Sequence, residues 1–458
     1  MAAIVGRSFD LRLMDAFGAD DQDDDAVLTA LEAAEAAKLI VTVSSGRIVR
    51  WEFAHGLIRQ TLQNGLSLPR RQRAHLRVAD VLEKIYAKDL DRHASDIAHH
   101  LYQAGAAADP DKTLHYLMTA GNRALDAGAF GEAIRQFDQA LSVLEDDESK
   151  DAADLRYRKG CAFRSLGQAD DALEEWRSAL AVYESFGDGE GIARTAYDAA
   201  FALGWQGKIG EGATLARQAL NSLGEQRESA QGHLLTTLAM WSSVQGQAFS
   251  DAHATLKKAE SIAEQLNEAR LTNLISRVKT MMHYVYMQLP ECVDLGPRAA
   301  AQCRERGELY DACDAMWPTM FGFMLHGDFS KGSSIAEDLS SLAVRVGHTQ
   351  SQWAVQLQHT YRQLLTNKSM KASRTTAEKA AEHSEQVQFP WRVWDYLLLA
   401  TTTFYAGDWE EAQTTFEKCI ALDPGNSWMH NLMPASALYV RAYTGDSSMV
   451  ASLKQTCV

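Results

Sequence analysis

Apolar and polar positions repeat along this chain with a period of about 40 residues from Gly128 onward. In each period, helically spaced apolar residues stop at a turn residue, and a second such run follows. Glycine and, less often, asparagine end helices because they adopt the left-handed conformation easily. The pattern therefore predicts stacked helix pairs. The turns fall at Gly128, Gly167, Gly207, Gly246, Gln288, Gly327, Asn367, Gly407 and Gly445.

A small side chain recurs five residues after most of these turns. It lets the backbones of two neighbouring helices approach closely. The positions are Ala133, Ala172, Gly212, Gly332, Ala372 and Ala412, with Ala252 one place later.

These segments resemble tetratricopeptide repeats, whose usual period is about 34 residues. A period near 40 implies that each helix is almost one turn longer. We expect an all-α fold in which residues 106–458 form a right-handed superhelix of about eight or nine long tetratricopeptide-like helix pairs. The last copy stops within its second helix and residues 1–6 look like the end of a helix, so we expect a longer parent protein.

Residues 1–105 break the repeat and carry the one clear β signal. Apolar β-branched and aromatic residues at 39–43 and 48–53 flank a turn at Ser44, Ser45 and Gly46, which predicts a hairpin. Helices around this hairpin favour a winged-helix domain followed by linking helices. The predicted helices are Asp10–Phe17, Ala26–Ala37, His55–Leu62 and Ser67–Tyr86.

Composition narrows the class of protein. The formal net charge of −15 argues against a surface for nucleic acid or anionic membranes. Six scattered cysteines without close pairing indicate reduced thiols. We see neither a signal peptide nor an apolar run of the roughly 18 residues that span a bilayer. We therefore expect a cytoplasmic protein without a membrane partner.

Four strings follow one another in the head of the chain. They are AAIVGRSFDLRLMDAF, ALEAAEAAKLIV, WEFAHGLIRQTLQNGLSLPRRQRAHLRVADVLE and DRHASDIAHHLYQAG. In this order they resemble the segment that follows the ATPase core in bacterial STAND-type regulators, including MalT-like activators and ATPase-linked adenylate cyclases. In that family a winged helix and long tetratricopeptide-like repeats follow the nucleotide-binding core.

The resemblance implies a nucleotide-sensing role for Phe53, His55 and Arg59. The segment Phe53-Ala54-His55 is similar to the family motif whose histidine contacts the β-phosphate of ADP. An imidazole at a helix start can donate to phosphate, and Arg59 lies one turn further on the same face. The alternative is that His55 packs beneath or caps the hairpin.

The family's P-loop is missing from this sequence. The nearest strings, at 204–212 and 327–334, lack the required order of glycine, lysine and serine or threonine. A cyclase domain and a DNA-binding helix-turn-helix are not apparent either. We therefore expect no enzymatic activity and no cofactor bound by this chain alone. The resemblance implies ADP or ATP only in the parent protein.

Three further clusters favour ordinary structural roles. Asp21, Asp23 and Asp25 mimic part of a calcium loop, but Ala26 stands where the loop needs glycine. His93, His99 and His100 do not share one helical face, so we predict no metal site. The arginines at 70, 71, 73 and 77 are best explained as a solvated helix face.

Tryptophans are dense late in the chain. Trp409 is predicted to pack in the core. Four others lie on the predicted first helices of their pairs, which line the inner groove of such arrays, where aromatic rings can stack on a ligand. Packing between repeats is the alternative for them. These candidate groove residues are Trp317, Trp353, Trp391 and Trp394.

The leading hypothesis is the sensor arm of a STAND-type signalling ATPase or transcriptional regulator. The repeats would bind a protein or small-molecule effector, and the winged helix would transmit its presence to the nucleotide site of an upstream ATPase core. Two alternatives stay open. One is a stand-alone interaction scaffold, and the other is the regulatory part of an adenylate or guanylate cyclase.

Overall fold

The structure, a computed structural model, describes residues 1–18, 24–45, 48–223, 228–366, 369–386 and 389–422. These residues form 22 α-helices and three short strands, which confirms the predicted all-α class and its tetratricopeptide-like pairs. Every described helix is too short or too polar to cross a bilayer. The chain divides into two compact units, Met1–Lys159 and Gly160–Val458, and each is described by itself.

The first unit contains an antiparallel sheet of three strands in the order β1-β3-β2. These are β1 (Ser8–Asp10), β2 (Ile40–Ser45) and β3 (Ile48–Phe53). Phe9 pairs with Trp51 and Ile40 with Phe53, so four apolar side chains are buried together on one face. The helices are α1 (Ala2–Val5), α2 (Leu11–Gly18), α3 (Asp24–Ala36), α4 (Gly56–Asn64), α5 (Leu68–Ile85), α6 (Ala94–Ala104), α7 (Pro110–Asp126) and α8 (Phe130–Val143).

The predicted hairpin and the four predicted head helices are present, with ends within about two residues of the expected ones. Strand β1 was not predicted. Its three residues are too few to show the alternation of a strand, and it exists because it pairs along β3.

The second unit consists of helix pairs. Helix α9 (Lys150–Ser165) contains the boundary between the units, and α7 to α22 make eight pairs within the described residues. A further copy around Gly445 lies outside them. The helices are α10 (Ala169–Phe186), α11 (Gly189–Trp205), α12 (Ile209–Ser222), α13 (Glu228–Val244), α14 (Phe249–Leu266), α15 (Ala269–Val285), α16 (Leu289–Glu305), α17 (Leu309–Leu325), α18 (Phe329–Val346), α19 (Thr349–Leu365), α20 (Met370–Gln386), α21 (Val393–Ala406) and α22 (Trp409–Leu422).

The turns within pairs match the prediction with one correction. Six predicted glycines have positive φ, but at the fifth turn the left-handed residue is Met287, with φ of 56°. The predicted Gln288 has φ of −83° and precedes α16. A left-handed methionine costs about 1–2 kcal/mol, so a search for residues that favour this conformation misses it. Asn367 lies outside the described residues. The six glycines are Gly128, Gly167, Gly207, Gly246, Gly327 and Gly407.

A second series of left-handed residues, which was not predicted, closes the turns between pairs. Gly187, Asn267, Gly307 and Gly347 fall in the same 40-residue register. A residue in the left-handed conformation therefore recurs both in the turns within pairs and in the turns between pairs.

The fourth residue of every second helix is small and buried, so the two backbones of a pair approach there. Ser373 takes the place predicted for Ala372, which is exposed. Ala252 is in register, because the turn before it is one residue longer. The positions are Ala133, Ala172, Gly212, Ala252, Cys292, Gly332, Ser373 and Ala412.

Gly212→Ala is expected to lower the free energy of unfolding by roughly 1 kcal/mol, the lower end of the cost of overpacking. A Cβ at this position would lie 2.9 Å from the backbone oxygen of Ala200, which cannot rotate away. The matched control is Gly210→Ala in the same helix, whose Cβ meets only the mobile end of Gln245 at 3.3 Å. Urea denaturation compares the two. Equal stability of both variants would contradict close backbone approach at Gly212.

Candidate ligand-binding site

A cavity of about 260 Å³ lies among the first helices of six consecutive pairs in the second unit. It draws residues from α11, α13, α15, α17 and α19 and from the start of α21. Six of the ten tryptophans of the chain line it, together with Tyr, Phe, Met, Leu and Val side chains, and none of the lining residues is ionisable at neutral pH. The tryptophans are Trp205, Trp241, Trp317, Trp353, Trp391 and Trp394.

Edge-to-face ring contacts hold the cavity wall. The ring of Trp205 lies 5.6 Å from that of Trp317 at 66°, and 6.1 Å from that of Trp391 at 74°. Tyr284 meets Trp317 at 5.6 Å and 79°. Such geometry is the favoured one for aromatic pairs. Because Trp205 comes from α11 and Trp391 directly precedes α21, the first helices curl around the cavity within this unit.

A buried carboxylate positions one of the tryptophans. The Trp353 Nε1–H donates to Asp395 Oδ2 at 3.0 Å, and Asp395 is 3% exposed. Burial raises the pKa of Asp395 to about 6, although hydrogen bonds from Trp353 and Ser384 and the charge of His383 act in the opposite direction. Near neutral pH the carboxylate therefore accepts the indole N–H and fixes the ring.

Two indole N–H groups of the cavity wall lack an acceptor among the described residues. They belong to Trp241 and Trp391, which are 3% and 7% exposed. A buried donor without an acceptor costs about 1–3 kcal/mol. Their nitrogens are themselves buried, so this cost falls on the packing of the cavity wall.

A buried ion-pair network adjoins the cavity. Arg277, from α15, contacts Asp311 and lies 3.7 Å from Asp314, both on α17. At the start of α19, His348 Nδ1 accepts from Ser351 N–H at 3.1 Å, so its Nε2–H donates to Asp314 Oδ1 at 3.0 Å. Burial alone would raise the pKa of Asp314, but His348, Arg277 and Arg164 together hold it below its usual value.

Only a gap of about 10 Å³ separates this network from the aromatic wall. Trp205 and Trp317 border both the gap and the cavity, while Arg277 and Asp314 border the gap alone. The position of the aromatic rings therefore depends on charged groups that are themselves buried.

All four predicted groove tryptophans line the cavity, with one difference in placement. Trp317, Trp353 and Trp394 lie on first helices, whereas Trp391 lies in the turn two residues before α21. Trp409, predicted to be core, is 43% exposed. It begins a second helix, whose first turn faces outward there. The role of the four groove tryptophans in ligand binding stays a prediction.

Trp205 and Trp241 were not predicted, although they line the same cavity. The sequence does mark part of the cavity lining. Aromatic residues or methionine occupy equivalent positions, 40 residues apart, in five successive first helices. These residues are Phe201, Trp241, Met281, Phe321 and Tyr361, and the last four line the cavity.

The predicted nucleotide-sensing residues lie in the first unit. Phe53 is buried against Phe9, with ring centroids 5.8 Å apart. His55 stands at the N-cap of α4, exposed and without a side-chain capping bond, so the packing alternative is not what the structure has. Arg59 is half-buried one turn later.

The predicted histidine cluster and the arginine run have other partners in the structure than the sequence suggests. His93 stacks on Tyr86 at 3.5 Å and is not grouped with His99 and His100. Those two meet His75 of α5 instead. Arg77, from the arginine run, donates to the Phe17 carbonyl at 2.7 Å. The side chains of Asp21, Asp23 and Asp25 lie outside the described residues.

Comparisons with known proteins concern the fold. A scan of protein-family models and a search of curated proteins find no match. Among solved structures, the chain is similar to a STAND protein with a tetratricopeptide repeat sensor from Pyrococcus horikoshii, at 13% identity and a TM-score of 0.47. That similarity covers 90% of this chain and 61% of the other, so this chain spans about three fifths of that protein.

The chain is also similar to two further solved structures. One is a Rap protein complexed with competence and sporulation factor, at 12% identity, a TM-score of 0.33, and coverage of 95% of this chain and 96% of that one. The other is human IFIT1 with m7Gppp-AAAA, at 14% identity, a TM-score of 0.37, and coverage of 80% and 88%. At such identities a shared fold carries no function with it.

Proposed function

We propose that this chain is a non-enzymatic sensor that binds a small, uncharged, largely aromatic ligand in the tryptophan-lined cavity. The observation that carries the proposal is the convergence of six tryptophans from distant repeats on one cavity. A mostly apolar pocket with few polar groups is the usual form of a small-molecule site.

The size and polarity of the cavity define the ligand class. A cavity of about 150 Å³ lined by apolar groups holds benzene, so 260 Å³ suits one or two fused rings. The absence of ionisable lining residues disfavours a charged ligand, which would lose its hydration without compensation.

The experiment is a titration of the purified chain with 2-naphthol, followed by quenching of tryptophan fluorescence and by calorimetry. We expect saturable binding at one equivalent. Trp394→Ala removes one half-buried ring of the wall and should weaken binding about tenfold. Trp409→Ala removes a ring that does not line the cavity, and it should change the Kd by less than about twofold.

Three results would reject the ligand proposal: binding that does not saturate, equal effects of the two variants, or tighter binding of tetramethylammonium than of 2-naphthol. The last of these would indicate an aromatic cage for cations. Circular dichroism of each variant establishes that the helices persist.

We further propose that the sensor belongs to a STAND-type regulator, in which Phe53, His55 and Arg59 couple it to a nucleotide site. The ordered head strings and the exposed His55 at a helix start support this. Phe53 would act as packing support, because it is buried. The parent's ATPase core would bind ADP or ATP, and its output, as transcription factor or cyclase, would lie on other domains.

The coupling proposal is tested first on the gene. The upstream reading frame should encode a P-loop, and His55→Ala in the full-length protein should raise basal activity. A frame without any P-loop would leave the stand-alone scaffold as the explanation.

A further inference from the structure

Three histidines meet in the first unit, although they are far apart in sequence. His75 comes from α5, and His99 and His100 come from α6. One ring nitrogen from each lies within 4.8 Å of the other two. His75 and His100 are each 4% exposed, whereas His99 faces solvent.

The hydrogen bonds of His100 direct one of its lone pairs into this cluster. Its Nδ1 lies 2.9 Å from His75 Nδ1. The ring also donates a hydrogen bond to the backbone carbonyl of Val5. The donor is Nε2, because Nδ1 faces His75. Nδ1 of His100 is then unprotonated and accepts a hydrogen bond from His75 Nδ1. A ring held by a carbonyl on one nitrogen, with the other nitrogen unprotonated, is the usual arrangement of a metal-binding histidine. A metal ion would replace the hydrogen bond between His75 and His100.

The rings are also in the protonation state that a metal requires. Burial, with help from neighbouring positive groups, lowers the pKa of His75 to about 4 and of His100 to about 3. The pKa of His99 is lowered by burial and by Arg59. All three are neutral near pH 7, and neutral imidazole is the form that coordinates metal ions.

We propose that His75, His99 and His100 form a binding site for a divalent transition-metal ion of the zinc type. Three imidazole nitrogens at about 2.0–2.1 Å suit Zn²⁺, and imidazole also suits Cu²⁺ and Ni²⁺. Nitrogens at those distances from one tetrahedral ion are about 3.3 Å apart. The widest separation in the cluster, up to 4.8 Å, therefore has to close by roughly 1.5 Å. His99 can move because it is exposed, and the two Nδ1 atoms at 2.9 Å have to separate slightly. The fourth position would face solvent on the side of His99.

Two nearby arginines limit the affinity of this site. The charges of Arg59 and Arg71 act on His75, and that of Arg59 also acts on His99 and His100. They oppose a divalent cation, so we expect weaker binding than at a structural zinc site. They also favour an anion, such as hydroxide or chloride, as the fourth ligand.

The test uses the whole chain, treated with chelator and then titrated with Co²⁺ and Zn²⁺. We expect one equivalent of Co²⁺ with the visible absorption of a four-coordinate ion, and displacement of it by Zn²⁺. His99→Ala changes an exposed side chain and should weaken binding at least about tenfold. His75→Gln keeps a hydrogen-bonding group in the core and should do the same.

The matched control is His115→Ala, an exposed histidine of α7 outside the cluster. It should bind Co²⁺ as the unchanged chain does. Absence of saturable binding, or equal affinity in the unchanged chain and in His99→Ala and His75→Gln, would overturn the proposal. The site is independent of the aromatic cavity, so the naphthol experiment and this one can fail separately.

Discussion

Arg277→Ala is expected to lower the free energy of unfolding by about 3–5 kcal/mol, because it leaves the buried carboxylate of Asp314 without its guanidinium partner. The Arg277 side chain is 5% exposed, and that of Asp314 is 6% exposed. Asp314 is buried, so once the guanidinium is gone it keeps only the hydrogen bond from His348 and the charge of Arg164 as compensation. Urea denaturation followed by circular dichroism measures the loss.

The control for this variant is Arg298→Ala, whose partner Asp294 and own side chain are mostly exposed. Exposed pairs contribute about 0–1 kcal/mol, so little should change. Adding Asp314→Asn to Arg277→Ala should recover part of the loss, because the stranded charge is removed. A loss as small as that of the control would mean that the network is solvated.

Asp395→Asn is expected to become more stable relative to the unchanged chain as the pH rises from 4 to 7, by up to about 3 kcal/mol. The pKa of Asp395 is about 6 in the folded chain against 3.8 ordinarily, a difference of roughly two units. The folded state thus holds the proton more tightly, and this contribution to stability is present below pH 4 and lost as the pH passes 6. Asparagine has no such proton, while its oxygen still accepts from Trp353.

Denaturation at pH 4, 5, 6 and 7 measures this difference, and only its change with pH tests the prediction. The exposed Glu410→Gln on α22 is the control, and its difference from the unchanged chain should be flat. A flat difference for Asp395→Asn as well would show that this carboxyl titrates as it does in water. The Kd of Asp395→Asn for 2-naphthol then shows whether the charge of this carboxylate affects ligand binding.

Much of the fold could be predicted from the sequence because its determinants are local. Glycine at Gly207 or Gly327 marks a helix end through its own backbone freedom, and a small residue such as Ala133 marks close packing. Met287 was missed because methionine disfavours the left-handed conformation, and nothing in its side chain marks the turn that its backbone closes by donating to Tyr284. Strand β1 was missed because it depends on pairing with the distant β3.

Only part of the cavity lining was predicted from the sequence. Trp317 and Trp353 could be assigned to a groove from their places in the repeat, but Trp205 could not be assigned to the same site. Its partner rings lie more than a hundred residues away, and their proximity depends on the curvature summed over several repeats. The histidine cluster was missed likewise, because His75 is supplied by another helix than His99 and His100.

The curvature of the first helices also fixes how this segment can evolve. Arrays commonly gain or lose whole repeats, since each copy packs only on its neighbours. Here Trp205 and Trp391 touch across the intervening copies. Deleting one copy would keep the packing between neighbouring repeats, but it would shift one wall of the cavity by the length of one repeat. The number of repeats between these tryptophans therefore determines the shape of the cavity as much as the identity of the residues does.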